Sequence, residues 1–141
     1  MLYADTSALL PFYRAERNSP VVEAIFMQNA GQIGLSHLVC VEAVSAIARW
    51  CRMGDMNEPQ AQEIEVALQS DIAAGRYCQI VLSAGVFNQA LAWLSLRKAS
   101  LRTLDALHLA AAAQNEACLL TADQQLARAA EIFGVDCQAL E

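Results

Sequence analysis

The chain has 141 residues, the length of one ordinary domain, and can bury a core without a metal or disulfide to hold it together. Hydrophobic residues make up 56% and charged residues 17%, which excludes intrinsically disordered and collagen-like chains. The formal net charge of −6 argues against a general nucleic-acid binder with a basic face.

Short apolar runs alternate with helical patterns along the whole chain. Strands are predicted over residues 1–4, 33–36, 78–82 and 117–120, with a fifth over 135–140. Seven helices are predicted. In chain order they run from a cap on Thr6 or Ser7 to Tyr13, from Pro20 to Gly31, over 39–53, from Asn57 to Gly75, from Ser83 to Leu94, over 104–114 and over 124–133. This alternation predicts a three-layer α/β/α domain with a central, mostly parallel sheet of four to five short strands.

Neither a membrane span nor a secretory leader is predicted. No stretch reaches the roughly 18 uninterrupted apolar residues of a membrane helix, and Asp5 comes too early for a signal peptide. The five cysteines include no Cys-x-x-Cys pair, which favours reduced thiols in the cytoplasm over a zinc site or a disulfide framework. No linker or repeat divides the chain, so we predict a single domain over residues 1–141.

Asp5 and Asp123 each follow a predicted strand directly. The carboxyl ends of parallel strands meet at one edge of the sheet, where α/β proteins usually bind ligands. Both carboxylates are therefore expected at that edge. Aspartate between a strand and a helix is also a common helix N-cap, and capping remains the alternative for each of them.

Asp105 and Glu42 lie in helical segments that are otherwise apolar. The run 104–113 has only two polar residues, Asp105 and His108, as expected for a buried helix. A buried ionised carboxylate is costly unless paired, and no basic residue lies four positions from Asp105. Asp105 is therefore capped near Thr103, protonated, or held by a cation. Glu42 has a similar setting, with a first-turn role in the helix dipole as its alternative.

Four carboxylates that converge in an apolar cleft repel each other unless a cation compensates them. Oxygen ligands without a His or Cys cluster suit Mg²⁺ or Mn²⁺, which activate water and stabilise an in-line phosphoryl displacement. His108 is three residues after Asp105 and shares its helical face, although a core histidine is the more common role. Phosphate-loop, dinucleotide-binding, HExxH and GxSxG motifs are absent from the sequence.

Four segments together resemble the PIN-domain family, in particular the VapC-type toxin ribonucleases of type II toxin–antitoxin systems. They are LYADTSALLPFY, LVCVEAVSAIAR, LRTLDALHLAAAA and LLTADQQLARAA, and they span essentially the whole chain in the family's order. The resemblance implies a PIN-like fold, an Mg²⁺ or Mn²⁺ cofactor and cleavage of RNA. Ser7 and Thr121 match positions that often line the site. The four metal-binding catalytic acids implied by the resemblance are Asp5, Glu42, Asp105 and Asp123.

The resemblance also implies a cognate antitoxin that lays helices across an apolar groove, and a homodimer. The basic side chains that could hold RNA phosphates are scattered, and a solvated surface role is the alternative for each. They are Arg14, Arg17, Arg49, Arg52, Arg97, Lys98 and Arg102.

Two other interpretations stay open at this point. A catalytically silent PIN-like module would bind protein or RNA and use its acids as caps or for a structural ion. A receiver-like phosphoacceptor is disfavoured, because the sequence lacks an acidic pair beside one strand and a well-placed lysine, Lys98 being its only one.

Overall fold

The structure is a computed structural model that describes residues 1–141. The strands are Leu2–Ala4 (β1), Ile33–Ser36 (β2), Cys78–Ile80 (β3), Cys118–Thr121 (β4) and Cys137–Ala139 (β5). The helices are Thr6–Tyr13 (α1), Ser19–Gln28 (α2), His37–Arg52 (α3), Glu58–Ala73 (α4), Ala84–Leu96 (α5), Thr103–Gln114 (α6) and Gln124–Phe133 (α7).

All five strands form one parallel sheet in the order β3-β2-β1-β4-β5. Strand β1 lies at its centre, with Tyr3 opposite Gly34 on one side and Leu119 on the other. This confirms the predicted three-layer α/β/α architecture and its five short strands. Because the strands are parallel, the ends of β1 and β4 lie side by side at one edge, and this edge positions the candidate site.

The core lies on both faces of the sheet. Tyr3, Leu119 and Leu120 in the central strands are fully buried. Helix α6 is buried nearly all round, as its apolar composition predicts, and the run of small residues Ala110–Ala113 lets it approach its neighbours closely. Helix α5 packs along α6. Asp105 and His108, the polar residues between the ends of α6, are therefore buried.

Most boundaries of the helices and strands lie within two residues of the predicted ones, with differences at α1, α2 and β3 among them. The cap of α1 is Asp5 rather than Thr6 or Ser7, because Asp5 has an extended backbone and its side chain accepts a hydrogen bond from the Ala8 amide. Pro20 is the second residue of α2, and that helix ends at Gln28, before Gly31. Strand β3 ends at Ile80, short of the predicted Leu82.

The five cysteines are free thiols in the structure. No helix of the chain is both long enough and apolar enough to cross a membrane.

Candidate active site

Asp5 lies at the edge of the sheet, directly after β1, and is 4% exposed. Its Oδ1 atom accepts hydrogen bonds from the Ser7 hydroxyl at 2.7 Å and the Ala8 amide at 3.0 Å. Its Oδ2 atom accepts one from the Thr121 hydroxyl at the end of β4. Ser7 and Thr121, which the sequence suggested as lining residues, thus contact Asp5 itself.

Backbone amides after β4 fix the direction of both hydroxyl groups. The Ala122 amide donates to Ser7 Oγ at 2.8 Å, and the Asp123 amide donates to Thr121 Oγ1 at 3.0 Å. Each hydroxyl accepts from the backbone and donates to the carboxylate. Asp5 is therefore held rigidly, with one side chain serving both as the cap of α1 and as a member of the site.

Burial raises the pKa of the Asp5 carboxyl above its ordinary value. The hydrogen bonds from Thr121 and Ser7 oppose this effect but do not cancel it. A positive charge nearby would favour the ionised form of Asp5 and lower this pKa again.

Glu42 reaches the same edge from the second turn of α3, since that helix begins at His37. This position contradicts a first-turn role in the helix dipole. The Thr6 hydroxyl donates to Glu42 Oε1 at 2.9 Å, and His108 Nε2 bonds the same oxygen. Burial alone would raise the pKa of Glu42, but the hydrogen bonds and charge of His108, with the bond from Thr6, lower it overall.

His108 links Glu42 to the centre of the sheet. Its Nδ1 atom lies 2.8 Å from the Tyr3 hydroxyl, which lies 2.8 Å from the Ser36 hydroxyl. His108 is 3% exposed, so it is both the core histidine that the sequence favoured and a neighbour of the site. Its spacing from Asp105 signalled this position. Tyr3 gave no comparable signal, because a tyrosine in a buried strand usually serves packing alone.

Asp105 and Asp123 share one partner, the guanidinium group of Arg102. Arg102 Nε lies 3.1 Å from Asp105 Oδ2, and its Nη2 atom lies 3.8 Å from Asp123 Oδ2. Asp105 is buried and forms an ion pair with Arg102, a state that the sequence analysis did not include among its three alternatives. No basic residue lies four positions away, as noted from the sequence, but Arg102 pairs with Asp105 from three positions earlier.

Asp123 also serves as a cap. Its Oδ1 atom accepts hydrogen bonds from the Gln125 and Leu126 amides at the start of α7. Its Oδ2 atom is the oxygen that faces Arg102. One oxygen of the Asp123 carboxylate thus caps α7, as the capping alternative expected, while the other oxygen faces the site.

The donor set fits a hard divalent cation. All four acids offer carboxylate oxygens, the ligands that Mg²⁺ and Mn²⁺ prefer, and Arg102 shows that a positive charge is accommodated between Asp105 and Asp123. No group of three or more carboxylate, imidazole or thiol side chains is arranged for an ion in this structure. Each carboxylate instead faces its own polar partner. Asp5, Glu42, Asp105 and Asp123 are the residues that would hold such an ion.

The chain belongs to the PIN domain family, whose sequence model matches residues 2–132. Its fold is similar to that of VapC and Fit toxin proteins. FitAcB from Neisseria gonorrhoeae is 19% identical, with 97% of this chain and 96% of that chain covered and a TM-score of 0.72. The VapC20 toxin from Mycobacterium tuberculosis, which cleaves the sarcin-ricin loop, is 16% identical over 92% and 95%, with a TM-score of 0.72.

A third similar structure is VapBC2 from Rickettsia felis, bound to a DNA fragment of its promoter. It is 17% identical, covers the whole of both chains and has a TM-score of 0.68. Among curated proteins, no sequence matches this chain. At these identities the likeness shows the fold, and the family match shows membership of the PIN domain proteins.

Proposed function

We propose that this chain is a metal-dependent endoribonuclease toxin of the VapC type. The observation that supports it most is the presence of carboxylates from four separate elements near one edge of the sheet, with the Arg102 guanidinium between Asp105 and Asp123. A structural scaffold has no need to gather like charges in a half-buried cleft. A site for a divalent cation has that need.

Asp5, Glu42, Asp105 and Asp123 would hold the Mg²⁺ or Mn²⁺ ion. When bound, such an ion lowers the pKa of a ligand water and stabilises the charge that develops on a phosphodiester. The task of the protein is to hold the acids in place. Ser7 and Thr121 orient Asp5, while Thr6 and His108 orient Glu42.

A cognate antitoxin and a second copy of the chain are the proposed partners. Support for the antitoxin comes from the similar structures, which include VapBC2 from Rickettsia felis and a toxin–antitoxin complex from Klebsiella pneumoniae. Cleavage of cellular RNA would place the action of the protein in the cytoplasm. Co-expression with a cognate antitoxin should suppress RNA cleavage, and the two proteins should co-purify.

Cleavage of labelled RNA by the purified protein tests the proposal. We expect cleavage with Mg²⁺ or Mn²⁺, none with a chelator, and a loss of at least a hundredfold for Asp5→Asn and Asp105→Asn, within the range expected for a group that acts in the transition state. Asp136→Asn is the matched control, since Asp136 is exposed at the opposite edge before β5. Equal cleavage by all variants would indicate a contaminating nuclease and contradict the proposal.

A catalytically silent binding module is the second candidate. It is favoured by the capping bonds of Asp5 and Asp123 and by the absence of a ready three-acid group. Under this alternative the purified protein cleaves no RNA with any divalent ion. Partner binding then survives the change of Asp105 to Asn.

A further inference from the structure

A cleft of about 300 Å³ opens beside the acids, between α1, α3 and the start of α6. Thr6 and Glu42 line it near the sheet edge, and Arg49 and Arg52 line it further along α3. Leu104, next to Asp105 in the chain, is also part of its wall. The cleft is therefore continuous with the site that contains Glu42.

The spacing of α3 places these residues in one row. Glu42, Arg49 and Arg52 are separated by seven and three positions and lie on one face of the helix. At the helical rise of 1.5 Å per residue, Arg49 lies about 10 Å and Arg52 about 15 Å along the axis from Glu42. The positive charges thus follow the acid along a single direction.

Arg49 and Arg52 are exposed and form no ion pair. Other arginines are already engaged: Arg76 pairs with Asp71, and Arg102 pairs with Asp105. The two α3 arginines are cations without a carboxylate partner in a chain whose net charge is −6. Basic residues in a last helical turn interact favourably with the helix dipole, but the dipole does not require a cleft shared with Glu42.

We propose that this cleft binds the RNA backbone beside the cleaved bond, with Arg49 and Arg52 contacting successive phosphates. The inference rests on the proposed ribonuclease function, because it takes the acids as the place of cleavage. A strand whose phosphodiester lies at the acids must continue away from them. Arg49 and Arg52 on α3 offer this strand positive charge in the direction in which the cleft runs.

Electrostatics favour a polyanion over an acidic protein segment here. The four acids repel a phosphate strand, and cations next to them offset that repulsion where the strand has to come closest. Two arginines in a row with free donors match regularly spaced phosphates. Contacts of this kind fix the register of the strand and carry no sequence information.

The test measures binding of a fluorescein-labelled single-stranded RNA by anisotropy, in EDTA so that the strand stays intact, over a series of salt concentrations. For single strands, each lost phosphate contact lowers the slope of log K against log salt by about 0.7. We expect a decrease of about 1.4 for Arg49→Gln with Arg52→Gln. The double lysine variant should retain most of the slope. Arg128→Gln, an exposed and unpaired arginine on α7, should leave it unchanged.

Cleavage kinetics give the second readout. In Mg²⁺ or Mn²⁺ the double glutamine variant should raise KM with little change in kcat, since neither arginine contacts the acids. Thermal melting of each variant shows whether it is folded. If the double variant binds and cleaves RNA like the wild type, the inference is wrong and the ribonuclease function stands.

If the wild type binds RNA but never cleaves it, and the double variant loses that binding, the cleft assignment stands and the ribonuclease function fails. Unchanged RNA binding combined with loss of antitoxin binding would overturn the inference and assign the cleft to a protein partner.

Discussion

Asp5 is the most buried of the four acids and has no basic side chain bonded to it. We predict that Asp5→Asn abolishes cleavage while leaving the metal-free protein as stable as the wild type or more stable. Asparagine is an equally good N-cap and can still accept the Ala8 amide hydrogen. The change removes the cost of a buried charge that burial makes unfavourable.

The pH dependence of the free energy of unfolding should report the charge on Asp5. Burial raises the pKa of Asp5 in the folded state, so the folded protein keeps a proton that the unfolded chain has released. Metal-free stability should therefore fall as the pH rises from about 3.9, the ordinary aspartate value, through the raised folded pKa. Urea unfolding in EDTA at several pH values should show this step in the wild type and not in Asp5→Asn. A large loss of stability in Asp5→Asn would instead identify Asp5 as mainly a cap.

His108 positions Glu42 through a buried chain of hydrogen bonds to Tyr3 and Ser36. We predict that His108→Ala lowers the free energy of unfolding by about 1–3 kcal/mol, because it leaves a buried polar group without its partner. The pKa of Glu42 should rise toward its ordinary value, since His108 contributes most to lowering it. Carboxyl NMR titration in the absence of metal measures that rise.

The chain provides its own control for this experiment. His37, the other histidine, is exposed at the start of α3. His37→Ala should change stability by less than about 0.5 kcal/mol and leave the Glu42 titration unaltered. Equal effects of the two substitutions would show that His108 has no positioning role.

At the scale of elements, the order of helices and strands was predictable because each short apolar run is bounded by a cap or a turn residue. Asn57 illustrates this: it was expected to open α4 and does so in a capping box with Gln60. Strand lengths were less predictable, since the ends of β3 and β5 depend on pairing with neighbours rather than on local sequence.

Some features of the candidate site could likewise be predicted from the sequence, and others could not. The positions of Asp5 and Asp123 follow from topology alone, because parallel strands end at one edge. The partners of the acids do not: the contacts of Tyr3 with His108 and of Arg102 with Asp123 join residues far apart in the chain or depend on a side-chain rotamer. Sequence spacing carries no signal for contacts of that kind.

Strand β2 depends on a glycine beside the central strand. A Cβ atom on Gly34 would lie 2.8 Å from Ile80 Cγ1 and 3.4 Å from the Leu2 carbonyl oxygen. Ile80 is buried and has little room to move. We predict that Gly34→Ala lowers the free energy of unfolding by about 1–3 kcal/mol, as overpacked cores do.

A double-mutant cycle identifies the clash as the cause. Ile80→Ala removes the atom in conflict, so the cost of Gly34→Ala should largely disappear in that background. Additive costs in urea unfolding would show that the close approach to Ile80 does not limit this position.

At the scale of the whole molecule, folding is what places the acids near one edge of the sheet. Asp5, Glu42, Asp105 and Asp123 come from the first, middle and last parts of the chain, and the parallel order β2-β1-β4 sets their elements side by side. An unfolded chain does not hold these carboxylates near one another. A divalent ion that binds the folded site should therefore stabilise the molecule by mass action.

We predict that Mg²⁺ or Mn²⁺ raises the free energy of unfolding of the wild type by about 2.7 kcal/mol at a concentration of one hundred times Kd. Calorimetric melting in the presence of the ion, compared with melting in EDTA at equal ionic strength, measures this gain in stability. The variant with Asp105→Asn and Asp123→Asn keeps the α7 cap, because asparagine also caps, but should gain nothing from the ion. An equal gain in both proteins would mean that the ion acts by screening the net negative charge, and that these acids form no metal site.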